Sequence, residues 1–217
     1  MATSRVAASS VRNLGRLNAS STAFLLCDIQ EKFRPGIHAF ESLVQVAQKM
    51  SKASQLLKIP LLVTEQYSKG LGHTVEEIDI GHASVVEDKT RFSMFTPAVA
   101  QKLQELKIRS VVLYGIESHV CVLQTCLELM DNDYDVHVLA DGVSSMNAPE
   151  IDIALRRMAG AGAHVASSES VLFQITNDAK HPDFKALSSL VKEFQAATRQ
   201  NKLLFKQAAA ASGSAQL

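Results

Sequence analysis

The stretch VVLYGIESHVCVLQTCLELM, Val111 to Met130, decides the fold, because it passes from an apolar strand directly into a helix. Val111 to Tyr114 is a short, β-rich run with no polar alternation, which reads as a parallel strand covered on both faces. Gly115 permits a sharp turn and Ser118 suits an N-cap, after which the apolar spacing becomes helical. Cys121 then falls in the first helical turn. Unpaired backbone N–H groups and the positive end of the helix dipole favour a thiolate there, although a cysteine taken alone is more often a small buried hydrophobe.

The same alternation extends in both directions. Apolar runs at Thr22 to Cys27, Pro60 to Thr64, Ser84 to Glu87, Ser110 to Tyr114, Asp135 to Ala140 and Ala163 to Ala166 read as strands. Helical periodicity lies between them at Ser42 to Leu57, Pro97 to Lys107 and Ala148 to Gly162, with Pro149 suited to a first helical position. Strand and helix in alternation imply right-handed crossovers and a mostly parallel sheet, a three-layer α/β/α, doubly wound domain. In such folds ligands sit beyond the carboxyl ends of the strands where strand order reverses, in one common arrangement between the first and fourth strands. Asp28 follows the first strand, Lys89 the third and Cys121 the fourth. The irregular stretch from Glu65 to Ala83, with three glycines and two histidines, is long enough to be a site loop.

Composition excludes several classes. Of 217 residues, 47% are hydrophobic and 20% charged, enough for one sizeable core in a single domain. Lys and Arg number 22, as do Asp and Glu, so no overall field draws nucleic acid or an anionic membrane, and neither is expected as a partner. No apolar run is long enough to span a bilayer. Three cysteines without a CxxC pair point to a reducing, intracellular compartment.

Three regions are expected: an N-terminal arm over 1–20, a hydrolase-type domain over 21–197 and a flexible Ala/Ser/Gln tail over 198–217. The arm has no acidic residue. At about 100° per residue, Arg5, Arg12 and Arg16 fall within roughly 40° of one another, opposite Val6, Val11, Leu14 and Leu17. That is the pattern of a mitochondrial transit peptide, the alternative being a basic arm on a cytoplasmic protein. The final Ala-Gln-Leu is only distantly like the peroxisomal Ser-Lys-Leu address.

A cysteine hydrolase needs a thiolate, a base for the thiol proton and donors for the tetrahedral oxyanion. Asp28 can deprotonate Cys121 and return the proton to a leaving amine, with Lys89 as a fixed cation beside both. The backbone N–H groups of Glu117 and Cys121 are candidates for the oxyanion hole. Phe33, Tyr67 and Phe92 are candidates to line a substrate pocket. His119 is two residues from Cys121, so their side chains diverge by about 200° on a helix and make a poor dyad. Cys27 and Cys126 read as core residues, and His73 and His82 lack zinc-ligand spacing.

The segments LCDIQEKF (Leu26 to Phe33), VTEQY (Val63 to Tyr67), KTRFSMF (Lys89 to Phe95) and GIESHVCVLQT (Gly115 to Thr125) together resemble the isochorismatase-like cysteine hydrolases. The resemblance runs from Thr22 to Lys192. EQYSKGLGHTVEEID (Glu65 to Asp79), SSESVLFQITND (Ser167 to Asp178) and HPDFK (His181 to Lys185) narrow it to the animal isochorismatase domain-containing group. It implies an Asp-Lys-Cys triad at Asp28, Lys89 and Cys121, a six-stranded parallel sheet and a cis peptide at Ile116–Glu117 that aims the oxyanion donors. Glu117 stands where many members carry Thr. Nicotinamidase-like members carry an Asp and His metal cluster after the second strand, whereas Glu65, Gln66 and Tyr67 stand here; no metal and no other cofactor is expected. Members that cleave the isochorismate vinyl ether generally lack the cysteine, so the expectation shifts to hydrolysis of a C–N bond in a small amide-like molecule. The alternative is a catalytically silent scaffold on the same fold. Folds of this type often assemble, which makes a homo-oligomer the expected state.

Overall fold

The structure, a computed structural model, describes residues 14–204. Strands β1 (Thr22–Cys27), β2 (Leu61–Gln66), β3 (Val85–Lys89), β4 (Ser110–Ile116), β5 (Asp135–Ser144) and β6 (His164–Ala166) form one sheet in the order β3-β2-β1-β4-β5-β6. Every neighbouring pair is parallel. The helices among the described residues are α1 (Phe40–Leu57), α2 (Ser68–Leu71), α3 (Pro97–Glu105), α4 (Leu123–Asp131), α5 (Ala148–Ala161), α6 (Ser168–Thr176), α7 (Phe184–Glu193) and α8 (Gln195–Arg199). Helices α1, α6 and α7 pack on one face of the sheet, and α3, α4 and α5 on the other.

Central strands need apolar residues on both faces, which is why β1 shows no alternation. Phe24 and Leu26 point into the α1 layer while Ala23, Leu25 and Cys27 point into the α4 layer. All are fully buried, and each large side chain contributes roughly 1.5–3 kcal/mol. Edge strand β3 alternates instead, with Val86 half-exposed. Helix α3 starts where Thr96 caps Val99 N–H at 3.3 Å and Pro97 opens the first turn. The chain leaves β1 in opposite directions, toward β2 and β3 on one side and β4 to β6 on the other, so a crevice opens at the carboxyl ends of β1 and β4.

Two local expectations need correction. Gly115 is not a turn after the strand but part of β4, at φ +130°. A Cβ there would lie 2.1 Å from the Cys27 carbonyl oxygen, so the glycine permits β4 to pass close to β1. Strand β5 continues beyond Ala140, because Asp141 is satisfied within the strand by Ser168 N–H at 2.8 Å and by the Ser168 hydroxyl. Within the region expected as a tail, Asn201 is buried and its amide donates to the Asp141 carbonyl at 3.0 Å. Within the expected arm, Leu14 is exposed, whereas Leu17 is buried and its N–H donates to Gln174 Oε1 at 3.0 Å. The amphipathic reading of Arg5 and Arg12, and the end of the tail, lie outside the described residues. No helix among the described residues is long and apolar enough to cross a membrane.

Candidate active site

Asp28 leaves β1 in the left-handed conformation, φ +54°, which a short polar side chain tolerates better than a branched one. The turn sends its carboxylate under the sheet edge, 1% exposed. Oδ1 accepts from the Thr64 hydroxyl at 2.8 Å, and Oδ2 accepts from Lys89 Nζ at 2.8 Å. Lys89 is the last residue of β3, two strands away, and its side chain crosses the end of β2 to make that contact. Its ammonium also donates to Gln66 Oε1 at 2.6 Å, to the Phe92 carbonyl at 2.9 Å and to the Arg91 carbonyl at 3.2 Å. The Gln66 amide is itself held by Thr90, and Gln30 ties the Gln66 backbone to the following loop.

Burial pushes the Asp28 carboxyl up from its usual range, against the opposing pull of Lys89, Thr64 and Cys121. Burial works on Lys89 in the other direction, but the acidic groups around it, with the hydrogen-bonded Asp28 carboxylate among them, outweigh it and hold the ammonium above its ordinary value. The pair therefore combines a permanent cation with a carboxylate disposed to take and return a proton.

Cys121 reaches the same place from β4. The Ile116–Glu117 peptide is cis, and a π turn at Ser118–Val122 precedes α4. Cys121 thus sits in the wide turn rather than in the first turn of α4, 7% exposed against 4% for Lys89 and 1% for Asp28. Its carbonyl accepts from the Thr125 hydroxyl at 2.6 Å, and the same hydroxyl accepts from Met94 N–H at 2.8 Å, which ties the cysteine turn to the segment after Lys89. Ser118 is no N-cap: it lies inside the turn, buried, with no hydrogen-bond partner for its hydroxyl among the described residues. Glu117 directs its carboxylate to Met146 N–H at 2.8 Å, and His119 pairs with the Ser145 hydroxyl at 2.9 Å, so both face the exit of β5.

The expected pocket aromatics differ in burial. Phe33 is half-buried against the α1 layer, while Tyr67 and Phe92 are 53% and 50% exposed. Phe92 lines a surface groove with Ser93, Gln124 and Leu127. Where nicotinamidase-like members place metal ligands, the Glu65 carboxylate accepts three bonds from its own chain: Thr74 N–H at 2.7 Å, the Thr74 hydroxyl at 2.9 Å and His73 Nδ1 at 2.8 Å. The long loop is thereby pinned to β2.

Thr64, Gln66 and Cys27 went unnoticed as parts of this cluster. A signal existed for the first two: polar residues two apart at the end of an otherwise apolar strand share one face, here toward Asp28 and Lys89. Cys27 gave none, since a cysteine in a buried strand reads as core.

The family model for the isochorismatase domain matches residues 22–170. The isochorismatase domain-containing protein 2 of Xenopus laevis is 45% identical over 186 residues, 85% of this chain and 90% of that protein. Isochorismatase domain-containing protein 1 of Salmo salar is 44% identical over 180 residues, 82% of this chain. The matched region spans 64% of the salmon protein and 65% of its Danio rerio counterpart, under two thirds of their length. Among solved structures, one described as the MAR1 ribonuclease of Caenorhabditis elegans is 39% identical, with a TM-score of 0.78, covering 82% of this chain and 92% of that one.

Proposed function

Because this chain belongs to the isochorismatase family, we propose that its hydrolase fold serves as a metal-independent cysteine hydrolase for the C–N bond of a small amide-like molecule. Cys121 Sγ attacks the carbonyl carbon as its proton passes to Asp28. The N–H groups of Glu117 and Cys121 hold the oxyanion. Asp28 returns the proton to the leaving amine, a thioester remains on Cys121, and water activated by Asp28 releases the acid and restores the thiol. Lys89 keeps its charge throughout and stabilises the anionic forms of its neighbours.

The observation that carries this reading is the buried Lys89–Asp28 ion pair at 2.8 Å with the Cys121 thiol beside it. A buried pair adds little net stability, so its retention favours a chemical role. A nuclease reading, prompted by the description of the C. elegans structure, stands second. Phosphate recognition needs free cations, but the Lys89 ammonium has four acceptors, Arg91 pairs with Glu128 at 2.7 Å and Arg34 contacts Glu31, Glu41 and Glu77. The test is a panel of small amides, with mass spectrometry to trap the acyl-enzyme. Hydrolysis abolished in Cys121→Ala, with a thioester adduct on Cys121 in the parent protein, is expected. Hydrolysis unchanged in that variant overturns the reading.

A further inference from the structure

We infer that Cys27 is a resolving thiol for Cys121: when a hydroperoxide oxidises the Cys121 sulfur, Cys27 closes an intramolecular disulfide with it and shields it from further oxidation. The inference rests on the reading of Cys121 as an activated nucleophile. Its basis is a placement that catalysis does not explain.

Cys27 is the last residue of β1 and pairs with Gly115 of β4. A Cβ on Gly115 would lie 2.8 Å from Cys27 Cβ, so the two strands approach closely at this point. From Gly115 the chain turns through Glu117 into the π turn that carries Cys121, and both cysteines belong to the same buried cluster beneath α4. Cys27 Sγ donates to Asp28 Oδ2 at 3.4 Å, and the Cys121 thiol stands close enough to act on both groups. One carboxylate therefore serves two sulfurs. The third cysteine is outside the cluster: Cys126 contacts Met130 Sδ at 3.9 Å, and burial pushes its thiol up to about 12.

Two steps complete the chemistry. Cys121 gives its proton to Asp28, and its sulfur attacks the peroxide. The O–O bond breaks, the sulfur keeps a hydroxyl as sulfenic acid, and the alkoxide takes the proton from Asp28 and leaves as an alcohol. Cys27 then gives its own proton to Asp28 and attacks the Cys121 sulfur, so that the S–S bond forms as the S–O bond breaks. The hydroxide takes the proton and leaves as water. Two thiols lose two electrons, and the hydroperoxide is reduced to alcohol and water. Until oxidation, burial and then the neighbouring Cys121 and Asp28 hold the Cys27 thiol well above its ordinary value, so it stays protonated.

The reduced full chain is treated with tert-butyl hydroperoxide, unfolded, alkylated with N-ethylmaleimide and mapped by mass spectrometry. A loss of two hydrogens is expected, with Cys126 alone alkylated of the three free cysteines, a Cys27–Cys121 cross-linked peptide and reversal by dithiothreitol. In Cys27→Ala, and in Cys27→Ser should the first fold poorly by circular dichroism, Cys121 gains oxygens instead. Over-oxidised Cys121 beside an alkylated Cys27 in the parent protein overturns the inference and leaves the nucleophile reading standing. No oxidation of Cys121 at doses that oxidise a free cysteine peptide overturns both.

Discussion

Lys89 and Lys49 are both buried lysines, at 4% and 2% exposure, yet they sit in opposite electrostatic situations. Lys89 at the end of β3 has four directed acceptors, one of them a carboxylate at 2.8 Å, and its ammonium is held above the ordinary value. Lys49 in α1 reaches one hydroxyl, Thr198 Oγ1 at 3.5 Å, with Asp141 and Glu169 acting only at longer range, and burial pushes its ammonium down. Burial alone therefore does not mark a functional charge. The set of groups aimed at it does, because an unpaired buried ammonium is a cost that packing absorbs, whereas a fully coordinated one can hold a negative charge beside it.

Removing each charge tests that contrast. Lys89→Met leaves the Asp28 carboxylate buried without its cation and should cost about 3–5 kcal/mol in urea unfolding. It should also lower hydrolysis by about 10²–10³-fold where the protein still folds. Thr64→Val removes the hydroxyl from Asp28 Oδ1 and should cost about 1–3 kcal/mol, together with a shift in the pH profile of hydrolysis. Lys49→Met should be neutral or stabilising, within about 1 kcal/mol, with hydrolysis intact. A loss of stability in Lys49→Met equal to that in Lys89→Met would erase the distinction.

The smallest effect is in pH. Lys49 titrates lower in the folded chain than in the unfolded one, where lysine lies near about 10.4. Between those values the unfolded chain holds more protons, so stability rises with pH. Lys89 is raised, so its contribution is complete below about pH 10.4 and is lost as pH climbs through the folded value. The melting temperature of the parent protein should therefore gain on that of Lys49→Met as pH rises from about 8 to about 10. A constant gap would contradict the pushed-down ammonium.

Much of the fold was legible because parallel strands and their covering helices leave continuous apolar runs and 3.6-residue periodicity. The bounds read for β1 match the observed strand, and the sheet order sets β1 beside β4, while Lys89 of β3 reaches Asp28 across the end of β2. The meeting of Asp28 and Lys89 was legible for the same reason, since each stands where a strand ends. What stayed hidden depends on backbone approach between distant segments. Gly115 reads as a turn until Cys27 is known to lie 2.1 Å from where its Cβ would be. Asp141 and Gly142 read as the end of β5 until Ser168 is seen to satisfy the aspartate. Asn201 belongs to the fold through a bond to Asp141 that no local pattern encodes.

The most direct measurement is the rate of iodoacetamide alkylation of Cys121 at neutral pH, followed by peptide mass in the parent protein, Lys89→Met, Asp28→Asn and Lys49→Met. Cys121 should react ahead of Cys27 and Cys126, slow by roughly tenfold or more when Lys89 or Asp28 is replaced, and keep its rate in Lys49→Met. An alkylation rate unchanged by replacement of Lys89 and of Asp28, in variants that retain the parent circular dichroism spectrum, would contradict an activated nucleophile held by that pair.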